Sequence, residues 1–116
     1  MKIEHIAIWT NDLERLKDYY VKFFDGKSNQ KYRNPKTLFE SYFISFESGC
    51  RLELMTNPDI KERENKSNYV GITHFAFEVE SKAEVDLKAK ELEAAGFPIL
   101  KGPRITGDGY YEFETS

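Results

Sequence analysis

The sequence contains a single cysteine, Cys50, so no disulfide can close within it, which fits a reducing, cytoplasmic setting. It lacks any apolar run near the roughly 20 residues that a membrane-spanning helix needs. Its N-terminus also lacks the charged-then-apolar layout of a secretion signal. Positive charge is not in excess: Lys and Arg total 17 against 20 Asp and Glu, and the basic residues are scattered among acidic neighbours. A nucleic-acid partner calls for clustered basic surface, so none is expected. Neither a G-x-x-x-x-G-K phosphate loop nor a G-x-S-x-G nucleophile turn is present. What remains, 116 residues that are 40% hydrophobic and 32% charged, is the composition of one small globular domain.

Histidine is scarce too, and its placement is informative. The only two histidines, His5 and His74, stand third in two matching runs, Ile3-Glu4-His5-Ile6-Ala7-Ile8 and Ile72-Thr73-His74-Phe75-Ala76-Phe77. Both runs alternate at the period of a β-strand. Ile6 and Ile8, like Phe75 and Phe77, point to one face, and His5 and Ala7, like His74 and Ala76, to the other. An internal repeat is the natural reading.

The order of elements supports it. After a strand over residues 2–9, Asn11 or Asp12 offers an N-cap before Leu13, Leu16, Tyr19, Tyr20, Phe23 and Phe24, an apolar stripe at helical spacing that Asp25-Gly26 ends as a C-cap glycine. Residues 27–36 read as a loop or irregular edge strand. Residues 37–47 and 51–56 read as a hairpin turned at Ser48-Gly49. Residues 58–70, polar and opened by Pro58, form a linker or flap. The order then restarts: a strand over 72–79, a helix capped by Ser81 carrying Val85, Leu87, Leu92 and Ala95, the stop Ala95-Gly96, an extended run over 98–105, a turn at Gly107-Asp108-Gly109, and a strand from Tyr110.

The expected organisation is one α+β domain of two tandem β-α-β-β modules, residues 1–57 and 71–116, with curved sheets around a cleft. Setting Phe43–Glu47 against Tyr110–Glu114 gives an offset of 67, so the counterpart of Glu53 falls past Ser116 and the second module lacks its last strand.

Glu53 sits in Leu52-Glu53-Leu54, where alternation aims it away from the apolar face and toward the face His5 uses. A carboxylate held there must be solvated, paired or metal-bound. His5, Glu53 and His74 therefore form a candidate three-ligand set, with a mixed N/O character suited to Zn²⁺, Ni²⁺, Fe²⁺ or Mn²⁺. Trp9, Phe43 and Met55 share the parity of this face and line a pocket or pack as core. Arg51 and Arg104 are either anion-binding or solvated, and Cys50 beside the hairpin turn is incidental. Tyr110 and Tyr111 split between two faces, with Tyr111 in the core.

On these motifs, together with Gly102-Pro103-Arg104 and Gly107-Asp108-Gly109-Tyr110-Tyr111, the chain resembles the vicinal oxygen chelate superfamily. That superfamily includes glyoxalase I, bleomycin-resistance proteins, fosfomycin-resistance thiol transferases, methylmalonyl-CoA epimerase and extradiol dioxygenases. The resemblance implies that His5, Glu53 and His74 are the first three metal ligands; the family's fourth is normally a glutamate in a closing segment, before which this sequence stops. The histidine-glutamate-histidine series is similar to that of bacterial glyoxalase I. This implies a lactoylglutathione-lyase-like proton transfer beside a carbonyl in a thiohemiacetal, with Glu53 as a catalytic base and glutathione or another thiol as cosubstrate. Asn57 matches a glutathione-contacting asparagine, whereas Trp9 stands where that family often has an arginine. A homodimer acting on a small molecule is implied as well. The alternatives are a metal-free drug- or metabolite-binding protein of the bleomycin-resistance type and a fosfomycin-type thiol transferase.

Overall fold

The computed structural model describes residues 1–62 and 70–116. Most of the expected linker or flap, residues 63–69, lies outside the described residues. Contacts group the chain into two units, Met1–Lys66 and Ser67–Ser116.

The first unit is a five-stranded sheet with one helix. Strand β1 (His5–Trp9) leads to helix α1 (Leu13–Phe23), and the short strands β2 (Lys27–Ser28) and β3 (Tyr32–Arg33) follow. The hairpin of β4 (Glu40–Ser45) and β5 (Arg51–Thr56) completes it. The order across the sheet is β1-β5-β4-β2, with β3 also paired to β4. Residues 27–36 are thus not a free loop: both short strands bond antiparallel to β4. The terminal strand β1 runs parallel to β5, which places Ala7 beside Glu53 and Trp9 beside Met55.

Alternation then divides the sheet into two faces. Ile44, Leu52 and Leu54 are buried on one face with Leu13 and Tyr20 of α1, and Ile6, Ile8, Leu16 and Tyr42 close round them. The helix is held at both ends. Asp12 is the N-cap, its Oδ1 accepting from the Arg15 N–H at 3.1 Å, which answers one of the unpaired amides of the first turn. At the C-terminus the left-handed residue is Asp25, with φ 53°, and not the glycine after it. Gly26 is needed for another reason: a Cβ there would lie 2.5 Å from Ile44 Cγ2. With α1 covering one face, the side chains of His5, Glu53, Phe43, Met55 and Trp9 are left on the other.

The second unit holds α2 (Lys82–Ala94) and the hairpin of β6 (Ile99–Ile105) and β7 (Tyr111–Thr115). Ser81 caps α2 by accepting from the Glu84 N–H at 3.2 Å, and Glu84 reaches back to the Glu80 N–H at 2.8 Å. Gly96, at φ 90°, closes the other end, where the Phe97 and Gly96 amides bond back to the Leu92 and Glu93 carbonyls. Ala89 and Leu92 are the buried residues of the helix. Leu87, expected on the apolar stripe, is 69% exposed, because it falls away from the two residues that face the hairpin. Tyr111 is half-buried rather than core, its hydroxyl donating to Asp86 Oδ1 at 2.5 Å, while Tyr110 is exposed.

The expected strand at 72–79 does not form: these residues join no sheet among the described residues, and all are exposed. The first unit supplies the physical reason. There, among the described residues, β1 pairs with β5 alone, and among the described residues of the second unit no strand stands in the place of β5. Alternating apolar residues create a preference for strand, but the ladder needs a neighbour.

Candidate functional site

The site face of the first unit is built from three adjoining strands. His5 opens β1, Glu53 lies at the middle of β5, and Phe43 sits opposite Glu53 on β4. His5 pairs in register with Arg51, so Glu53 is its diagonal neighbour two residues on, within reach of long side chains. The result is His5 Nε2 at 3.7 Å from Glu53 Oε2. That is too long for a hydrogen bond. It suits two donors of one ion: atoms each about 2.1 Å from a metal lie roughly 3 Å apart at a right angle and about 3.6 Å apart at 120°. The Glu53 side chain is 19% exposed, so its charge is partly withdrawn from water while its tip stays open to the site face.

The other ring nitrogen of His5 is engaged. Its Nδ1 contacts Glu4 Oε2, and Glu4 Oε1 accepts from Arg51 Nε at 2.7 Å. The Arg51 guanidinium lies 4.1 Å over the Phe43 ring, and the Phe43 ring meets the His5 ring edge-on at 5.4 Å. Glu4, Arg51 and Phe43 thus close a loop with the imidazole. The contact with His5 holds the Glu4 carboxyl below the usual carboxylate range; desolvation opposes it, and the Arg51 guanidinium adds a lesser downward pull. Ion pairs this exposed order the side chains and add little to stability.

Glu4 is the residue that sequence reasoning missed. Strict alternation assigns it to the face opposite His5, but it stands just ahead of β1, where the pleat does not yet bind it. The signal available was the adjacent pair Glu4-His5, which the repeat does not copy: Thr73 precedes His74. Arg51, read as anion-binding or solvated, is instead paired with Glu4, and Arg104 lies 3.6 and 3.5 Å from Glu112 and Glu114.

Farther along the face, Trp9 is 52% exposed and meets Phe39 edge-on at 6.2 Å, and Tyr32 meets Phe39 at 6.1 Å. With Met55 beside Trp9 in register, this makes an apolar end to the face, two residues along from Glu53. Asn57 closes β5, and its Oδ1 accepts from the Asp59 N–H at 2.9 Å, an Asx turn that Pro58 favours.

The structure therefore brings His5 and Glu53 together. His74 stands in the second unit, exposed. Among the described residues no group of three His, Cys, Asp or Glu is gathered closely enough to hold an ion. An open groove of about 510 Å³ between α2 and β6, lined by Asp86, Ala89, Lys90, Glu93, Ile99, Gly102 and Pro103, contains neither histidine. Among the described residues no helix is long and apolar enough to cross a membrane.

The chain is 32% identical over 114 residues to the uncharacterized protein YwkD of Bacillus subtilis, covering 96% of this chain and 86% of that protein. In fold it is similar to glyoxalase I of Leishmania major, at TM-score 0.72 and 22% identity, over 97% of this chain and 84% of the other. It is also similar to a fosfomycin resistance protein, FosX of Listeria monocytogenes, solved with Mn(II), at TM-score 0.69 and 21% identity, over 90% and 77% of the two chains. The profile of one family matches residues 2–115, nearly the whole sequence, and the chain belongs to the Glyoxalase/Bleomycin resistance protein/Dioxygenase superfamily.

Proposed function

We propose that the chain is a metal-dependent, glyoxalase-like lyase that moves a proton beside a carbonyl in a small thiohemiacetal or a related α-oxygenated substrate. The observation that carries this reading is the His5 Nε2–Glu53 Oε2 approach at 3.7 Å, on a face left open by α1. A neutral imidazole and a carboxylate suit Zn²⁺, Ni²⁺, Fe²⁺ or Mn²⁺. His5 and Glu53 would hold the ion; His74 is the third ligand that the sequence repeat suggests, on the sequence alone. When bound, a divalent ion supplies Lewis-acid stabilisation of negative charge on substrate oxygen. The likeness to glyoxalase I and to FosX with its Mn(II) supports the choice.

The chain's own residues do the rest. Glu53, aimed onto the face and partly desolvated, accepts the proton from the carbon beside the carbonyl and returns it to the neighbouring carbon, so the net change is an isomerisation. His5 offers Nε2 to the site while Nδ1 stays on Glu4. Trp9, Phe39, Tyr32 and Met55 shelter the apolar part of the substrate from water. Asn57 lies at the end of β5 as a thiol-cosubstrate contact, and a homodimer completes the assembly.

Two measurements test the proposal. Elemental analysis of purified protein is expected to find about one transition ion per site. Metal-loaded protein is then expected to consume methylglyoxal in the presence of one of a panel of thiols including glutathione. Bound metal with no turnover by any thiol contradicts the glyoxalase reaction, and fosfomycin consumption in its place identifies the thiol-transferase reading. Absence of bound metal together with tight binding of a drug or metabolite identifies the metal-free reading.

A further inference from the structure

We infer that Glu4 is a positioning residue that selects the tautomer of His5, holding the proton on Nδ1 and presenting the bare Nε2 to the site face. Three observations carry this. Among the described residues, Nδ1 alone of the two ring nitrogens is within hydrogen-bond reach of a carboxylate, that of Glu4, whereas Nε2 stands 3.7 Å from Glu53. A carboxylate has no proton to give at neutral pH, so the shared proton is donated by Nδ1 and the lone pair falls to Nε2. Glu4 in turn has little freedom. Its backbone carbonyl accepts from the Arg51 N–H at 3.0 Å, and its side chain accepts from Arg51 Nε at 2.7 Å.

The remaining contacts fix the ring's orientation. Arg51 lies over the Phe43 ring, and the Phe43 and His5 rings meet at right angles, so the ring plane of His5 is packed on one side while its Nδ1 is held by Glu4. Imidazole in water favours the opposite, Nε2–H form, which cannot ligate a metal through Nε2. Selecting the other form in advance is what a metal-binding histidine requires of its neighbours. In the second run Thr73 stands where Glu4 does, so a neighbouring carboxylate serves the first histidine and not the second.

The consequence for metal binding rests on the function proposed above, whereas the tautomer does not. The test therefore reads both. Nitrogen-15 NMR of the metal-free protein in mildly alkaline solution reports which ring nitrogen of His5 carries the proton. The wild type is expected to show the Nδ1–H form, Glu4→Ala the Nε2–H form, and Glu4→Gln, which keeps an acceptor oxygen, the Nδ1–H form. Zn²⁺ affinity, read by competition with a chromophoric chelator, is expected to fall about 10- to 100-fold in Glu4→Ala and by less in Glu4→Gln. An Nε2–H signature in the wild type, or an unchanged signature in Glu4→Ala, overturns the assignment. If the wild type takes up no Zn²⁺, the proposed function fails and the NMR result alone decides the role of Glu4.

Discussion

His5 Nε2 and Glu53 Oε2 approach to 3.7 Å from strands that run parallel, with His5 beside Arg51 and Glu53 beside Ala7 in register. Two residues 48 positions apart meet because α1 crosses over and returns the chain parallel to its start. Each is held from behind by apolar neighbours, Ile6 and Ile8 on β1 and Leu52 and Leu54 on β5, which pack against Leu13 and Tyr20. The site is therefore as rigid as that core, and the core can be tested separately from the chemistry.

Leu54 is fully buried between β1 and β4, as Ile44 is on β4. Leu54→Ala is expected to cost about 2–5 kcal/mol in urea unfolding, the usual range for a leucine removed from a closed core. Leu92→Ala is expected to do the same in the second unit, where Leu92 is likewise fully buried.

The end of α1 makes a prediction of opposite signs at adjacent positions. Asp25→Gly relieves a left-handed residue at φ 53° and is expected to stabilise by about 0.5–1 kcal/mol. Gly26→Ala places a methyl 2.5 Å from Ile44 Cγ2 and 3.0 Å from the Tyr20 carbonyl. It is expected to destabilise by about 1–3 kcal/mol. Thermal melts of the two variants beside the wild type check both signs, and the order would be reversed if Gly26 were the left-handed residue.

Those two positions also show how far the sequence could be read. Asp25-Gly26 marked the stop of α1, but that Asp25 takes the positive φ and that Gly26 is set against Ile44 of β4 are tertiary facts. Glu53 was legible because Leu52 and Leu54 must face the core, which leaves one direction for the residue between them. Glu4 was not, because alternation is a rule of paired strands and Glu4 precedes the first of them. The segment 72–79 alternates as cleanly as β1, yet it forms no strand. Propensity belongs to the residue and hydrogen bonding to its neighbour.

Tyr20 gives a pH test of the core. Burial pushes its phenol from 10.0 up to about 12, with the nearby Tyr19 adding to the effect. The unfolded chain ionises near pH 10 while the folded one resists, so the contribution is fully present below pH 10 and is lost as pH rises toward 12. A shift of this size corresponds to about 3 kcal/mol at most. Chemical unfolding across that range is expected to show the decline, and Tyr20→Phe is expected to flatten it. An equally steep decline in the phenylalanine variant would assign it to other groups.

The most direct measurement is the Zn²⁺ and Mn²⁺ affinity of the wild type compared with His5→Ala, Glu53→Ala and His74→Ala, each verified as folded by its melting curve. The proposed site predicts saturable binding near one ion per site in the wild type and a loss of at least about 10-fold for each variant, with His5 and Glu53 losing together because they share one ion. Binding that survives removal of both His5 and Glu53, or a folded wild type that takes up neither ion, would contradict it.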